Sequence, residues 1–215
     1  MRDMSVRPMD GNGAEPRDDG LRQMLLDMAA ADQALRTELA ANGSLFGGYH
    51  PRMTALQREH TQRLLAILEM QGWPAASRVG EDGAEAAWLV VQHPIGSPVV
   101  MRRGLAFLTA AAERGEAAWW RVAQLDDRIR VLEGRPQRYG TRQHWNEHGE
   151  LSPLPIDETA GVDDRRAAVG LEPLAAQSRR LRAVAAREGS SHQPICMPIT
   201  GRSRCGHTRL DGATE

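Results

Sequence analysis

The chain has 215 residues, a formal net charge of −1, 41% hydrophobic residues and only 4% aromatics. Alanine and leucine must then supply most of a core, which favours helices over sheets. All 27 basic residues are arginine, so Schiff-base lysine chemistry is excluded, as is a Walker A loop with its Gly-Lys-Ser/Thr.

The balanced charge gives no nucleic-acid signature. The first residues hold no apolar stretch of ~7–15 residues, so no signal peptide is expected. No run approaches the ~18 apolar residues of a membrane span, and the chain reads as a soluble cytoplasmic protein of Arg- and Ala-rich, bacterial composition. Cys196 and Cys205 both lie near the C-terminus, so no disulfide framework serves the core.

Residues 1–19, rich in Gly, Pro, Asp and Arg without apolar periodicity, read as a disordered leader. A single helical domain is expected over 20–187. Its first helix, about 21–41, carries Leu21, Met24, Leu25, Met28, Leu35 and Leu39 at helical spacing and closes at Asn42-Gly43. Pro51 opens a second helix with Met53, Leu56, Leu64, Ile67 and Leu68 on one face, ended by Gly72. A third, about 83–93, is apolar nearly all round and is expected to be the central buried helix. A fourth covers about 97–114, and a fifth about 116–132 with Trp119, Trp120, Val122, Leu125, Ile129 and Leu132, of which Trp120, Ile129 and Leu132 define the inward stripe. Thr141–Trp145 and Leu151–Pro155 flank a turn and predict a short hairpin. Asp163 is read as the cap of a short helix, and a last helix spans about 173–187. The remainder, 188–215, reads as a disordered basic tail; from Ala175 onward there are seven Arg against three acids. The expected fold is all-α: an irregular bundle of about five helices, a small β-hairpin insertion and a C-terminal helical arm.

Two metal-like patterns fail on spacing. His144, Glu147 and His148 spell H-x-x-E-H, but zinc-peptidase chemistry needs that motif on a helix. Here Asn146 and Gly149 predict a turn. His192, Cys196, Cys205 and His207 match no common finger spacing. No metal and no organic cofactor is expected.

The remaining polar candidates sit in apolar helices and in one loop. His93 closes the most apolar helix behind Gln92, and imidazole titrates near neutrality, so it is the candidate acid/base. Asp127, mid-helix near the buried stripe, is expected to orient His93 or to pair with Arg128 or Arg138. Arg138, Tyr139 and Thr141 share a loop with Gly140, and with Gln137 they form a candidate anion or carboxylate clamp.

The strings GWP…AAWLVVQH (72–93), DDRI…GRPQRYGT (126–141) and GELSPLPI…VDDRRAAVGL (149–171) resemble a bacterial family of unknown function, mostly small, stand-alone, soluble proteins. The resemblance spans about 21–182 and is most specific at Gln92-His93, Asp127-Arg128 and Gln137–Thr141. It implies one fold and assigns no chemistry. Where that family reads Tyr-Gly-Thr-Gln, this chain has Arg142.

Two functions stay open. One is a metal-independent acid/base enzyme of hydrolase or lyase type. It would use His93 and Asp127 for chemistry, with Gln92, Arg128, Gln137, Arg138, Tyr139 and Thr141 binding an anionic or peptide-like small ligand. The other is a non-catalytic interaction, regulatory or immunity-type protein.

Overall fold

Asp18 starts the first helix: its Oδ1 accepts a hydrogen bond from Leu21 N at 3.0 Å, satisfying one of the orphan amides of the first turn. The computed structural model describes residues 18–44, 50–93, 98–146 and 150–187. The expected leader up to residue 17, the basic tail from 188 with its Cys and His residues, and the hairpin tip with Glu147 and His148 lie outside them.

Among the described residues, seven α-helices and one two-stranded hairpin follow in order. They are α1 (Asp19–Ala41), α2 (Pro51–Gln71), α3 (Ala76–Gln92), α4 (Pro98–Glu113), α5 (Trp119–Leu132), β1 (Gln143–Trp145), β2 (Leu151–Pro153), α6 (Val162–Ala168) and α7 (Leu174–Arg187). A 3-10 turn, Thr159–Gly161, precedes α6. The all-α reading with a small hairpin holds. No helix among these residues is long and apolar enough to cross a membrane.

The chain divides into two compact units. The first takes the described residues of Met1–Pro94 and Ala106–Ala118, and the second takes those of Ile95–Leu105 and Trp119–Glu215. Helix α4 therefore contributes residues to both.

In the first unit α1 packs chiefly on α3, and α2 packs on both. Leu25, Met28 and Leu39 of α1, Leu64, Ile67 and Leu68 of α2, and Val79, Ala87, Val90 and Val91 of α3 are buried together. Helix α3 is central, as its composition predicts, but it begins at Ala76 rather than Gly83 and is broken at Gly80 (φ 75°, ψ 165°). Only glycine takes that backbone without strain. Beyond the break, Asp82 Oδ1 accepts from Gly83 N at 2.8 Å and from Arg22 Nε at 2.9 Å, tying the new helix start to α1.

In the second unit Met101, Ala123, Leu125, Ile129 and Val162 form the apolar centre. Helix α5 starts three residues later than expected, at Trp119, which is exposed, while Ile129 of the expected inward stripe is buried. Strands β1 and β2 pair antiparallel, with His144 opposite Ser152. Gln137 adds a one-residue parallel bridge to Ile156, a pairing too short to leave any periodicity in the sequence. Helix α7 lies against β2 and α6. Asp163 does not cap α6, whose N-cap is Gly161. Its Oδ1 instead accepts from Leu174 N at 2.8 Å and starts α7.

Candidate functional site

In the first unit a polar cluster interrupts the apolar seam of α1, α2 and α3. Asp32 of α1 falls on the same stripe as Leu21, Leu25, Met28 and Leu39 and is only 1% exposed. A buried carboxylate must be paired or hydrogen-bonded. Asp32 Oδ2 lies 2.9 Å from His93 Nδ1 at the end of α3 and 2.6 Å from Arg36 Nε, one turn along α1. Burial alone pushes the Asp32 carboxyl up, but the His93 imidazole and the Arg36 guanidinium outweigh it and hold the group below the usual carboxylate range.

His60 and Gln57 of α2 complete the cluster. Both are buried, and with Asp32, Val90 and His93 they line a small inner pocket too tight for a water molecule. Burial pushes the His60 imidazole below its ordinary value, against the smaller upward pull of the Asp32 carboxylate. Gln92 is buried beside this cluster in sequence, but its Nε2 donates to Trp88 O of its own helix at 3.2 Å.

The second unit holds the loop 137–141. Asp127 is fully buried and accepts four hydrogen bonds. Its Oδ1 takes the backbone N–H of Arg138 (2.7 Å) and Tyr139 (3.1 Å). Its Oδ2 takes the backbone N–H and the hydroxyl of Thr141, each at 2.9 Å. Four bonds fill the acceptor capacity of a carboxylate. Asp127 therefore anchors the loop backbone, not an arginine side chain, and the acid beside His93 is Asp32.

The other loop residues are held in the same way. Gln137, also fully buried, donates to Arg142 O at 3.0 Å and Leu154 O at 2.9 Å and accepts from Arg142 N at 2.6 Å. Arg166, buried without a carboxylate partner among its hydrogen bonds, donates to Glu172 O, Tyr139 O and Gln177 Oε1. Gln177 passes the chain of bonds on to Thr141 O at 3.3 Å. Desolvation pushes the Arg166 guanidinium below its usual value. Arg138 is exposed, its guanidinium 5.6 Å from the centre of the Tyr139 ring. Arg128 is half-buried. The expected clamp thus has its backbone donors turned to Asp127, while the Arg138 guanidinium faces the surface.

Gly140 is what lets the loop close. Its φ is 68°, and a Cβ there would stand 2.6 Å from Ile156 Cδ1 and 2.9 Å from Leu174 Cδ1. Of the H-x-x-E-H residues, His144 lies on strand β1 rather than on a helix, and the other two fall outside the described residues. Among the described residues, no three His, Cys, Asp or Glu side chains are grouped as metal ligands.

The chain belongs to the Family of unknown function (DUF6624), whose model matches residues 19–186. No curated protein and no solved structure matches it.

Proposed function

We propose that the protein is a His-based acid/base enzyme of hydrolase or lyase type, with His93 as the proton-transfer group and Asp32 as the acid that positions it. The observation that carries this reading is the 2.9 Å approach of a buried, arginine-held carboxylate to His93 Nδ1. A carboxylate at Nδ1 favours the tautomer with its proton there, so Nε2 is the basic nitrogen. As Nε2 takes a proton from substrate or water, the imidazolium that forms is stabilised by Asp32, the logic of a positioned base with an orienting acid. Asp127 and Gln137 serve in this reading as loop anchors rather than as catalytic groups.

The test is a panel of ester, amide, phosphoester and elimination substrates, with His93→Gln and Asp32→Asn as controls. Loss of a general base costs on the order of a hundred-fold or more. Turnover that survives His93→Gln unchanged rejects the reading.

The interaction-protein alternative draws support from the small inner pocket, which admits no water. There, His93 and Asp32 form a buried structural pair. His93→Ala then lowers stability by ~2 kcal/mol or more, because it leaves the buried Asp32 carboxylate with Arg36 as its remaining partner and opens a hole in the seam, and no substrate in the panel turns over.

A further inference from the structure

A groove of about 500 Å³ lies open between α1 and α2. Met24, Met28, Ala31 and Leu56 give it apolar walls, and His60 stands among its lining residues. His60 also lines the small inner pocket that holds Asp32 and His93. It is thus common to an open groove and to the buried acid–imidazole pair.

We propose that the α1/α2 groove is the ligand site of this protein and that His60 is its ligand-facing catalytic residue, linking a bound molecule to the Asp32–His93 pair behind it. This deepens the acid/base reading and rests on it.

The lining sets the class of ligand. The rim groups are engaged along their own helices: Gln23 Nε2 donates to Asp27 at 2.8 Å on α1, and Arg63 pairs with Glu59 at 2.8 Å on α2. Two acids and one paired arginine offer no site for an anion. The match is a small, uncharged, partly apolar molecule with one hydrogen-bonding group, such as an amide, directed at His60. An anionic substrate does not suit this groove.

The groups facing His60 also set its proton equilibrium. Asp32 of α1 draws a proton toward it, as does Glu59 on its own helix; Arg63 and the His93 imidazole of α3 oppose one, and Asp27 lies across the groove. Burial favours the neutral ring most of all. A neutral imidazole can accept a proton from a ligand at one nitrogen and donate at the other. The Asp32 charge thus acts on both imidazoles, and a proton on His93 disfavours one on His60.

The experiment uses the full-length protein with carbon-labelled methionine methyls and histidine rings, read by NMR. Hexanamide is the uncharged probe, and hexanoate is the anion of the same chain length. Hexanamide at millimolar concentration is expected to shift the Met24 and Met28 methyls and the His60 ring, and hexanoate to bind at least several-fold more weakly. The His60 midpoint in a pH titration is expected to rise in His93→Gln, where a competing proton is removed. Unmoved Met28 and His60 signals with hexanamide, tighter binding of hexanoate, or a His60 titration indifferent to His93→Gln each overturns the proposal. These signals need no turnover. A groove that binds hexanamide while the substrate panel stays silent rejects the enzyme reading and keeps the ligand site; turnover without groove binding does the reverse.

Discussion

Asp127 Oδ2 meets both the backbone N–H and the hydroxyl of Thr141 at 2.9 Å, so one residue is held twice by one oxygen. With Arg138 and Tyr139 on the other oxygen, a single carboxylate replaces the strand or helix partners that this loop lacks. Buried amides need such partners, and their loss leaves them unsatisfied.

Asp127→Ala is therefore expected to be among the most damaging substitutions in the second unit. It strands three buried or half-buried amides, and a cost of ~3 kcal/mol or more follows. Urea unfolding measures it. A loss below ~1 kcal/mol would show that the loop finds other partners.

Gly140→Ala combines two penalties. The positive φ disfavours any side chain, and the new methyl would meet Ile156 and Leu174. Left-handed strain and overpacking together are expected to cost ~2–4 kcal/mol. Trimming Leu174 to Ala in the same chain should return only its part of the packing share, since the Ile156 contact and the backbone strain remain, and a double-mutant cycle would read it.

Arg166→Lys is not a conservative change here. The guanidinium reaches Glu172 O, Tyr139 O and Gln177 Oε1 in three directions from one rigid fork. An ammonium on a flexible stem cannot span the same set. The substitution is expected to lower the melting temperature by several degrees, and a variant as stable as the parent would refute the account.

Acid should weaken the fold in two stages. Burial holds His60 below its ordinary value, so the unfolded chain takes up this proton first. Stability from His60 is complete above about pH 6.5 and is lost as the pH falls from there through the lower folded value. Asp32 is also held low, and its share is complete above about pH 3.9 and lost as the pH falls through its own folded value. Denaturant melts at successive pH values test this. His60→Gln should remove the upper stage and leave the lower one.

The sequence pattern revealed much of this molecule and misassigned one important partner. Helix positions were legible because Leu and Met recur at helical spacing and because Pro51 and Gly72 mark boundaries. The break at Gly80 and the bridge at Gln137 left no such period. Asp127 and the loop residues stood out as polar groups in an apolar context, but their geometry depends on which backbone amides turn toward the acid. Asp32, Gln57 and His60 carried a signal of their own. Asp32 continues the series 21, 25, 28, 32, 39, and Gln57 and His60 continue 53, 57, 60, 64, 67. A polar residue in register with a buried stripe must have a partner across the seam. That register marks His93's acid on α1, whereas the expectation of Asp127 rested on its place near the buried stripe of α5.

The interruption at Gly80 has a consequence for how the first unit moves. Because the backbone leaves helical geometry there, α3 is two helical segments joined at a kink, and the longer one carries Trp88 and Gln92 toward His93. Cooperative opening does not pass freely across a broken ladder. Amide hydrogen exchange should then divide at Gly80, with Ala86 to Val91 protected as one block and Arg78 and Val79 exchanging on their own timescale. The segment that ends at His93 would open and close as a separate unit, fastened at its start by the Arg22–Asp82 pair.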